Sequence, residues 1–217
     1  MRHTPGYLLT DPEEIRRLVR ENPWATFVSH TPSGLVASHY PVLLDDAAST
    51  GDDIVLVSHF GRPDEQLHGL GSSEILVIIQ GPHGYISPSW YEPDDFVPTW
   101  NHVTAHLYGT PELLEAEENF AVLDRLTDHF EARMPDPKSL HIDEESARRI
   151  AKGTVGLRLR VTRFDARAKL SQNKTPEVVE RIIAALEGDG AYSSELLAEE
   201  MRRKHGVASG DAGEASA

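Results

Sequence analysis

Alternation of apolar and polar residues in the segment TVGLRLRVTRF constrains the fold of this chain more than any other feature of its sequence. Apolar side chains occupy every second position and polar side chains the positions between them, as Val155, Leu157, Leu159 and Val161 against Arg158, Arg160 and Thr162. Because successive side chains of a strand point to opposite faces, one face is buried and the other is solvated. The segment therefore predicts a half-buried strand of an antiparallel sheet.

Other strand segments are joined by short turn sequences. WATFVSH and LVASHYPVLLD flank the turn TPSG and predict a hairpin, and IVLVSHF, EILVIIQ and VPTWNHVTAHLYG are rich in strand-forming residues. Strands and helices do not alternate in βαβ order, and no G-x-G-x-x-G or P-loop motif is present, which disfavours a doubly wound parallel sheet. We predict a mainly β, α+β fold, with six or seven antiparallel strands closed into a barrel and helices at its periphery.

Six segments predict helices from their capping residues and apolar stripes. They are TDPEEIRRLVRENP with Thr10 as its cap, GRPDEQLHGL opened by Pro63, AEENFAVLDRLTDHFEARM, DEESARRIAK, TPEVVERIIAALEG and SSELLAEEMRRKH. We predict a barrel domain with inserted helices over residues 1–170 and a C-terminal helical extension over 171–205. The remaining residues, 206–217, are small and polar and predict a disordered tail.

Composition excludes several classes of protein. The chain has 217 residues, 39% of them hydrophobic, and no apolar run near the ~20 residues of a membrane span. The absence of cysteine excludes disulfides and thiolate metal sites. Its first residues lack the apolar stretch of a signal peptide, which predicts a cytoplasmic protein. A formal net charge of −14 disfavours direct binding to DNA.

Neither a metal site nor a catalytic nucleophile is predicted from the motifs. His102 and His106 would share one face of a strand but lie roughly 13 Å apart, too far to ligate one ion easily. The chain has no G-x-S-x-G nucleophile elbow. We therefore predict no catalytic residue and no metal ligand.

The segment GPHGYISPSWY, residues 81–91, predicts an ordered loop in which aromatic rings lie beside hydroxyl groups. With VPTWNH and KLSQNK it offers what a flavin-like ligand needs. The amides of Asn101, Gln172 and Asn173 suit the ring edge, and a phosphate would be bound by cations and hydroxyls from Arg62, Lys169, Ser58 and Ser171. The residues alone leave a second interpretation open, in which the amides cap turns and the loop covers its own barrel.

The ordered set TDPEEIRRLVRENPWAT, QGPHGYISPSWY, VPTWNHVTAHLYG and KLSQNK resembles the PaiB family of FMN-binding negative transcriptional regulators, from about Tyr7 to Arg203. The resemblance implies a split β-barrel similar to pyridoxamine-phosphate oxidase. It also implies a homodimer with FMN at the subunit interface. The implied role is repression of genes for sporulation and degradative enzymes.

Carried over by motif, the resemblance implies contacts to FMN from three segments and from the basic residue after the third strand: His83, Ser87, Ser89, Trp90 and Tyr91, then Trp100 and Asn101, then Lys169, Ser171, Gln172 and Asn173, and Arg62. The chain departs from the family at Ala168 and Leu67, where tryptophan is frequent, which removes part of the aromatic cover. F420 or haem in place of FMN stays open. So does a second function, that of a flavin- or F420-dependent split-barrel oxidoreductase.

Overall fold

The computed structural model describes residues 4–91 and 96–207 and divides into two compact units. Unit 1 comprises Met1–Leu8, Gly81–Val103 and Arg167–Ala217, and unit 2 comprises Leu9–Gln80 and Thr104–Ala166. The predicted tail, 206–217, lies outside the described residues apart from Gly206 and Val207. The sequence placed a domain boundary at residue 170. Lys169 and Ser171, on either side of it, both belong to the segment of unit 1 that begins at Arg167.

The described residues contain nine strands and six α-helices. The prediction of six or seven strands was too low, because two of the nine have only two residues each, too few for a sequence pattern to indicate, and the last predicted strand is divided in two. The strands are β1 (Leu8–Leu9), β2 (Trp24–Thr31), β3 (Gly34–Leu44), β4 (Val55–Gly61), β5 (Ile75–Ile86), β6 (Thr99–Gly109), β7 (Glu112–Leu113), β8 (Thr154–Arg160) and β9 (Arg163–Lys169). The helices are α1 (Pro12–Glu21), α2 (Arg62–His68), α3 (Ala116–Glu131), α4 (Glu144–Ala151), α5 (Pro176–Glu187) and α6 (Glu195–His205). None of the helices in the described ranges is long and apolar enough to cross a membrane.

The sheet of unit 2 follows the hydrogen-bonded order β5-β2-β3-β4-β8-β7. The predicted hairpin is present, with β2 and β3 in antiparallel register from Trp24 opposite Pro41 to Thr31 opposite Gly34. Its core includes Phe27 and Phe60, which are fully buried and pack edge to face with ring centroids 5.0 Å apart. Short antiparallel connections therefore build this sheet, as the turn sequences predicted.

The first helix differs from the prediction at its cap. Asp11, rather than Thr10, is the N-cap of α1, and its carboxylate accepts a hydrogen bond from the backbone N–H of Glu13 at 2.9 Å. Pro12 then occupies the first helical position, where its missing N–H costs nothing. The prediction of Thr10 as cap was wrong because the helix begins one residue later than a Thr10 cap requires.

The alternating segment that begins at Thr154 is two strands rather than one. β8 ends at Arg160 and β9 begins at Arg163. The N–H of Val161 donates to the carbonyl of Ile54, whereas the N–H of Thr162 donates to that of Tyr108. Because consecutive residues bond to different neighbours, the ladder of β8 ends between them.

Unit 1 contains Leu8 of β1 and residues 167–169 of β9, 99–103 of β6 and 81–86 of β5, which are neighbours in that order. The prediction of a loop from Gly81 was wrong up to Ile86, since these residues continue β5. Gly84 is suited to this position, because a Cβ atom there would lie 3.0 Å from the Leu197 side chain of α6. α5 and α6 bury apolar faces within unit 1: Val178, Val179, Ile182, Ile183, Leu186, Leu197, Ala198 and Met201.

Candidate functional site

A cavity of about 380 Å³ lies within unit 1 and receives residues from all three motif segments. It is lined by Tyr7, Tyr91, Val97, Pro98, Thr99, Asn101, Lys169, Ser171, Asn173 and Lys174. Five of the residues predicted from sequence are among them: Tyr91, Asn101, Lys169, Ser171 and Asn173. Residues that are far apart in the chain, such as Asn101 and Ser171 at a separation of 70 positions, thus meet at one cavity.

The Asn101 side chain is the central polar group of this cavity. It is completely buried, and its Nδ2 donates to Ser171 Oγ at 2.9 Å and to the Met201 sulfur at 3.5 Å. Its Oδ1 atom is also buried and accepts no hydrogen bond from the described residues. A buried acceptor left without a donor costs about 1–3 kcal/mol. Because the atom has almost no accessible surface, a ligand would donate to it only after neighbouring side chains move.

The turn after β9 holds Ser171 in a sparsely populated backbone conformation. Ser171 has φ of +64°, a left-handed value that side chains other than glycine adopt at a cost of about 1–3 kcal/mol. Gln172 braces the turn. Its Oε1 accepts from the Leu170 N–H at 2.7 Å, and its Nε2 donates to the Ala168 carbonyl at 2.5 Å. The Gln172 amide is therefore occupied by its own backbone, and its contact with a ligand stays a prediction.

Two lysines give the cavity a positive electrostatic character, and among its lining residues within 4–91 and 96–207 there is no carboxylate. Lys169 donates to Thr99 Oγ1 and to the Trp100 carbonyl, and Lys174 Nζ lies 4.0 Å from the centroid of the Tyr91 ring. Burial of the Lys169 ammonium lowers its pKa, and the neighbouring positive charges lower it further. An anion bound there would relieve this repulsion.

His83 and Trp100 form an aromatic cluster of unit 1 that is separate from the lining of the cavity. Their rings stack with centroids 6.0 Å apart, and Trp100 Nε1 donates to His83 Nδ1 at 3.3 Å. Tyr85 packs against both Trp100 and Tyr192. Trp100 remains 50% exposed, so the cluster presents an aromatic surface to solvent.

The SPSW motif forms a 3-10 turn, Pro88–Trp90, capped by Ser87. Ser87 Oγ accepts from the Ser89 N–H at 3.2 Å and lies 2.8 Å from Ser89 Oγ. The Trp90 carbonyl accepts from Arg181 Nε at 3.3 Å. These groups hold the turn that precedes Tyr91. Ser87, Ser89 and Trp90, which were predicted as ligand contacts, do not line the cavity.

Ser58 and Arg62 belong to unit 2. Ser58 is fully buried and donates to the Pro41 carbonyl at 2.6 Å, while Arg62 Nε donates to the Lys152 carbonyl at 3.1 Å. Contact of either residue with the ligand of unit 1 stays a prediction.

Sequence reasoning missed several lining residues. Lys174 stands inside the quoted KLSQNK segment, so its charge could have been used, and Val97 to Thr99 stand inside VPTW. Nothing in the sequence pattern indicated Tyr7, which lies more than 80 positions from the nearest motif residue of the lining, Tyr91.

Sequence comparison gives two relationships of high coverage. A family model described as "Putative FMN-binding domain" matches residues 1–163. The protein named protease synthase and sporulation protein PAI 2, from Bacillus subtilis, is 31% identical over 207 residues, which cover 93% of this chain and 97% of the relative.

Structure comparison finds flavin-binding proteins of the same fold at low sequence identity. An FAD- and haem-binding protein from Mycobacterium smegmatis aligns with a TM-score of 0.55 and 18% identity, covering 85% of this chain and 81% of the other. The flavocytochrome Anf3 from Azotobacter vinelandii aligns with a TM-score of 0.56 and 11% identity, covering 78% and 72%. These likenesses confirm the predicted antiparallel split-barrel fold.

Proposed function

This chain belongs to the FMN-binding domain family whose model spans residues 1–163, and from that membership we propose that it binds FMN in the cavity of unit 1. The resemblance to the PaiB family is confirmed by the 31% identical relative from Bacillus subtilis. A bound flavin supplies reversible electron transfer, while the protein supplies binding and orientation. The residues lining the cavity match the chemistry of this ligand.

The observation that carries the proposal is the pair of lysines, Lys169 and Lys174, at a cavity shared by all three motif segments. The buried Oδ1 of Asn101, which lacks a donor among the described residues, adds an acceptor that a small shift of its neighbours would open to the ligand. The flavin ring edge carries an N–H group between two carbonyl oxygens, and an amide oxygen is the acceptor that such a group needs. Asn101 itself is fixed by the hydrogen bond from Nδ2 to Ser171 Oγ, so the acceptor is held in place before the ligand arrives.

The phosphate of FMN would be bound by Lys169 and Lys174, with the hydroxyl of Ser171 as a further donor. Both ammonium groups line the cavity, and none of the lining residues that the structure describes carries a carboxylate that would compete for them. Tyr7 and Tyr91 add aromatic surface for the ring system. Charge, hydrogen bonding and aromatic contact are thus available within one unit of the chain.

For the physiological role, we propose a negative regulator of gene expression of the PaiB type, acting in the cytoplasm as a homodimer. The support is the relative's name, which refers to protease synthesis and sporulation. Because the chain carries a net charge of −14, we propose that regulation does not depend on tight direct contact with DNA. A protein partner or a flavin-dependent state would then transmit the signal.

Flavin titration tests the ligand assignment. Lys169→Ala removes a charge-assisted contact worth about 1.5–3 kcal/mol and should weaken FMN binding about ten- to hundredfold. Lys138→Ala is the matched control, since this exposed lysine of unit 2 pairs with Asp136. Quenching of FMN fluorescence on binding gives the affinity of each variant for FMN. Equal affinities in the wild type and Lys169→Ala would contradict the assignment of the cavity.

Three further measurements test the proposed role. Sedimentation should give a species of twice 24.0 kDa, and binding to DNA should vanish at physiological salt. Deletion of the gene should raise transcription of protease genes. A flavin that is rapidly bleached by NAD(P)H, without any transcriptional change on deletion, would instead support an oxidoreductase.

A further inference from the structure

A second cavity, of about 530 Å³, is formed by unit 2, to which all of its described lining residues belong. It is bordered by the first turns of α3, by α4 and by the residue that opens α2. The lining residues are Arg62, Leu114, Ala116, Glu117, Asn119, Phe120, Glu145, Arg148, Arg149, Ala151, Lys152 and Thr154. Its volume is that of a site for a small organic molecule.

The floor of this cavity is apolar. Leu114, Phe120 and Ala151 line it, and each is at most 7% exposed. Phe120 presents its ring to one side and is covered there by the Arg148 guanidinium, 4.1 Å from the ring centroid. A ligand with a flat or short apolar body could place that body against the exposed edges of these side chains and stack on the outer face of the Arg148 guanidinium.

The rim of the cavity is cationic. Four positively charged residues, Arg62, Arg148, Arg149 and Lys152, outnumber two carboxylates, those of Glu117 and Glu145. This excess of positive charge occurs in a chain whose formal net charge is −14. A concave surface of one sign concentrates ligands of the opposite sign.

The four positively charged residues differ in whether they form ion pairs. Arg148 pairs with Glu117 at 2.9 Å and with Glu144 at 2.7 Å, so its charge is compensated. Within the described residues, the other three cations form no ion pair. Arg62 Nε donates to the Lys152 carbonyl and Arg149 donates to Ser146 Oγ, both neutral acceptors. Three uncompensated positive charges therefore stand around an apolar floor.

From this arrangement we infer that unit 2 has a second ligand site, for a small organic anion in which a carboxylate or phosphate ester is attached to an aromatic or short apolar body. The apolar part packs on Leu114 and Phe120, and the anionic group meets Arg149, Lys152 and Arg62. The site goes beyond the proposed flavin function, because it is built from other residues and takes a different class of ligand.

Fluorine NMR of the full chain tests the site with 4-fluorophenyl phosphate and 4-fluorobenzoate as probes. Both resonances should broaden and shift on addition of the protein. The neutral probe 4-fluorobenzyl alcohol should bind at least about tenfold more weakly, because it lacks the charge, and affinity for the anions should fall as salt is raised. A phosphate ester that binds more tightly than the carboxylate would identify the physiological ligand as a phosphate ester.

Single substitutions locate the probe. Lys152→Ala and Arg149→Ala should each weaken binding of 4-fluorophenyl phosphate by about three- to tenfold, as expected for partly exposed charge pairs. Arg133→Ala is the control, since it removes the same charge from an exposed position of unit 2 outside this cavity. A melting temperature equal to that of the wild type shows that each variant folds. If Lys152→Ala does not fold, Lys152→Gln takes its place.

Three results would overturn the inference. Equal weakening by Arg133→Ala and Lys152→Ala would show a nonspecific charge effect. Inorganic phosphate that displaces the probe at the probe's own concentration would show that the apolar floor contributes nothing. Displacement of the probe by FMN, with a loss of FMN affinity in Arg62→Ala, would assign the cavity to flavin. The Lys169→Ala titration is independent of all three, so failure here is distinguishable from failure of the flavin proposal.

Discussion

Units 1 and 2 each bury an asparagine side chain, and the two differ at a single acceptor. In unit 2, Asn119 is 5% exposed, its Nδ2 donates to the Ala151 carbonyl and to Thr154 Oγ1, and its Oδ1 lies 3.5 Å from the Thr154 hydroxyl. In unit 1, the fully buried Asn101 uses its Nδ2 but leaves Oδ1 without a donor among the described residues. The Thr154 hydroxyl donates to the Ala151 carbonyl at 2.8 Å, so its contact with Asn119 Oδ1 is a weak shared bond. Asn119 still has partners at both ends of its amide, which stabilises the fold, whereas Asn101 has partners at one end only.

Unit 2 also contains a completed set of hydrogen bonds, around the buried His68 of α2. His68 Nδ1 lies 2.8 Å from Ser29 Oγ, and its Nε2 lies 3.0 Å from Ser38 Oγ. Ser38 donates its proton to Asp64, which also accepts from the Tyr40 hydroxyl. Because the Ser38 proton is used in this way, Nε2 donates to Ser38, and in the neutral imidazole Nδ1 accepts from Ser29. Nothing in this chain of bonds is left for a ligand.

Removal of the His68 ring should give the largest effect on stability. His68→Ala leaves the buried Ser29 hydroxyl without its partner and creates a cavity beside Phe60, so the free energy of unfolding should fall by about 2–4 kcal/mol. Urea unfolding measures it, with the exposed His30 changed to Ala as the control. A loss below about 0.5 kcal/mol would show that the completed set contributes little.

The two asparagines should differ in their effect on ligand affinity. Asn101→Ala should weaken FMN binding about tenfold, because it removes one acceptor, and should also lower the free energy of unfolding by about 1–2 kcal/mol, because it leaves the buried Ser171 hydroxyl without its Nδ2 donor. Asn119→Ala should lower the free energy of unfolding by about 1–2 kcal/mol and leave FMN affinity unchanged. FMN titration and urea unfolding of both variants are needed. A loss of FMN affinity in Asn119→Ala but not in Asn101→Ala would contradict the assigned difference between the two units.

The two neighbouring amides of the turn after β9, Gln172 and Asn173, should also differ: one should affect stability and the other FMN affinity, both by smaller amounts. Gln172→Ala removes two hydrogen bonds that brace the turn and should lower the free energy of unfolding by about 1 kcal/mol. Asn173→Ala, which changes an exposed residue of the cavity lining, should reduce FMN affinity without a change in stability. If Gln172→Ala lowers affinity alone, its amide contacts the ligand rather than the turn.

The smallest effect on stability should come from lowering the pH. Burial lowers the pKa of His68, and the charge of Asp64 opposes this shift only in part. A histidine with a lowered pKa in the folded state is protonated first in the unfolded state, so stability falls as pH drops below about 6.5. His68→Gln should show a smaller decline in melting temperature between pH 7.5 and 5.5 than His30→Gln. Burial also lowers the pKa of His59 and His106, so a residual decline is expected.

Much of the fold follows from local patterns along the chain. The hairpin around TPSG, the strand beginning at Ile75 and the two C-terminal helices occur where strand-forming residues, turn residues and apolar stripes predict them. The errors arose where long-range contacts override local preference. Gly84 continues a strand because α6 approaches it closely, and β8 ends because Val161 and Thr162 bond to different neighbours.

By itself the sequence determined an antiparallel sheet with helices, the family and the three motif segments of the candidate site. These properties depend on periodicity, turn chemistry and residue identity, which are local. Only the tertiary structure decided that the Asn101 acceptor lacks a donor among the described residues while the Gln172 amide is occupied, and that Arg62 stands with Lys152 at a cavity of unit 2. Hydrogen-bond partners and local charge depend on which distant residues meet, because their energies act over a few ångströms of space rather than along the chain.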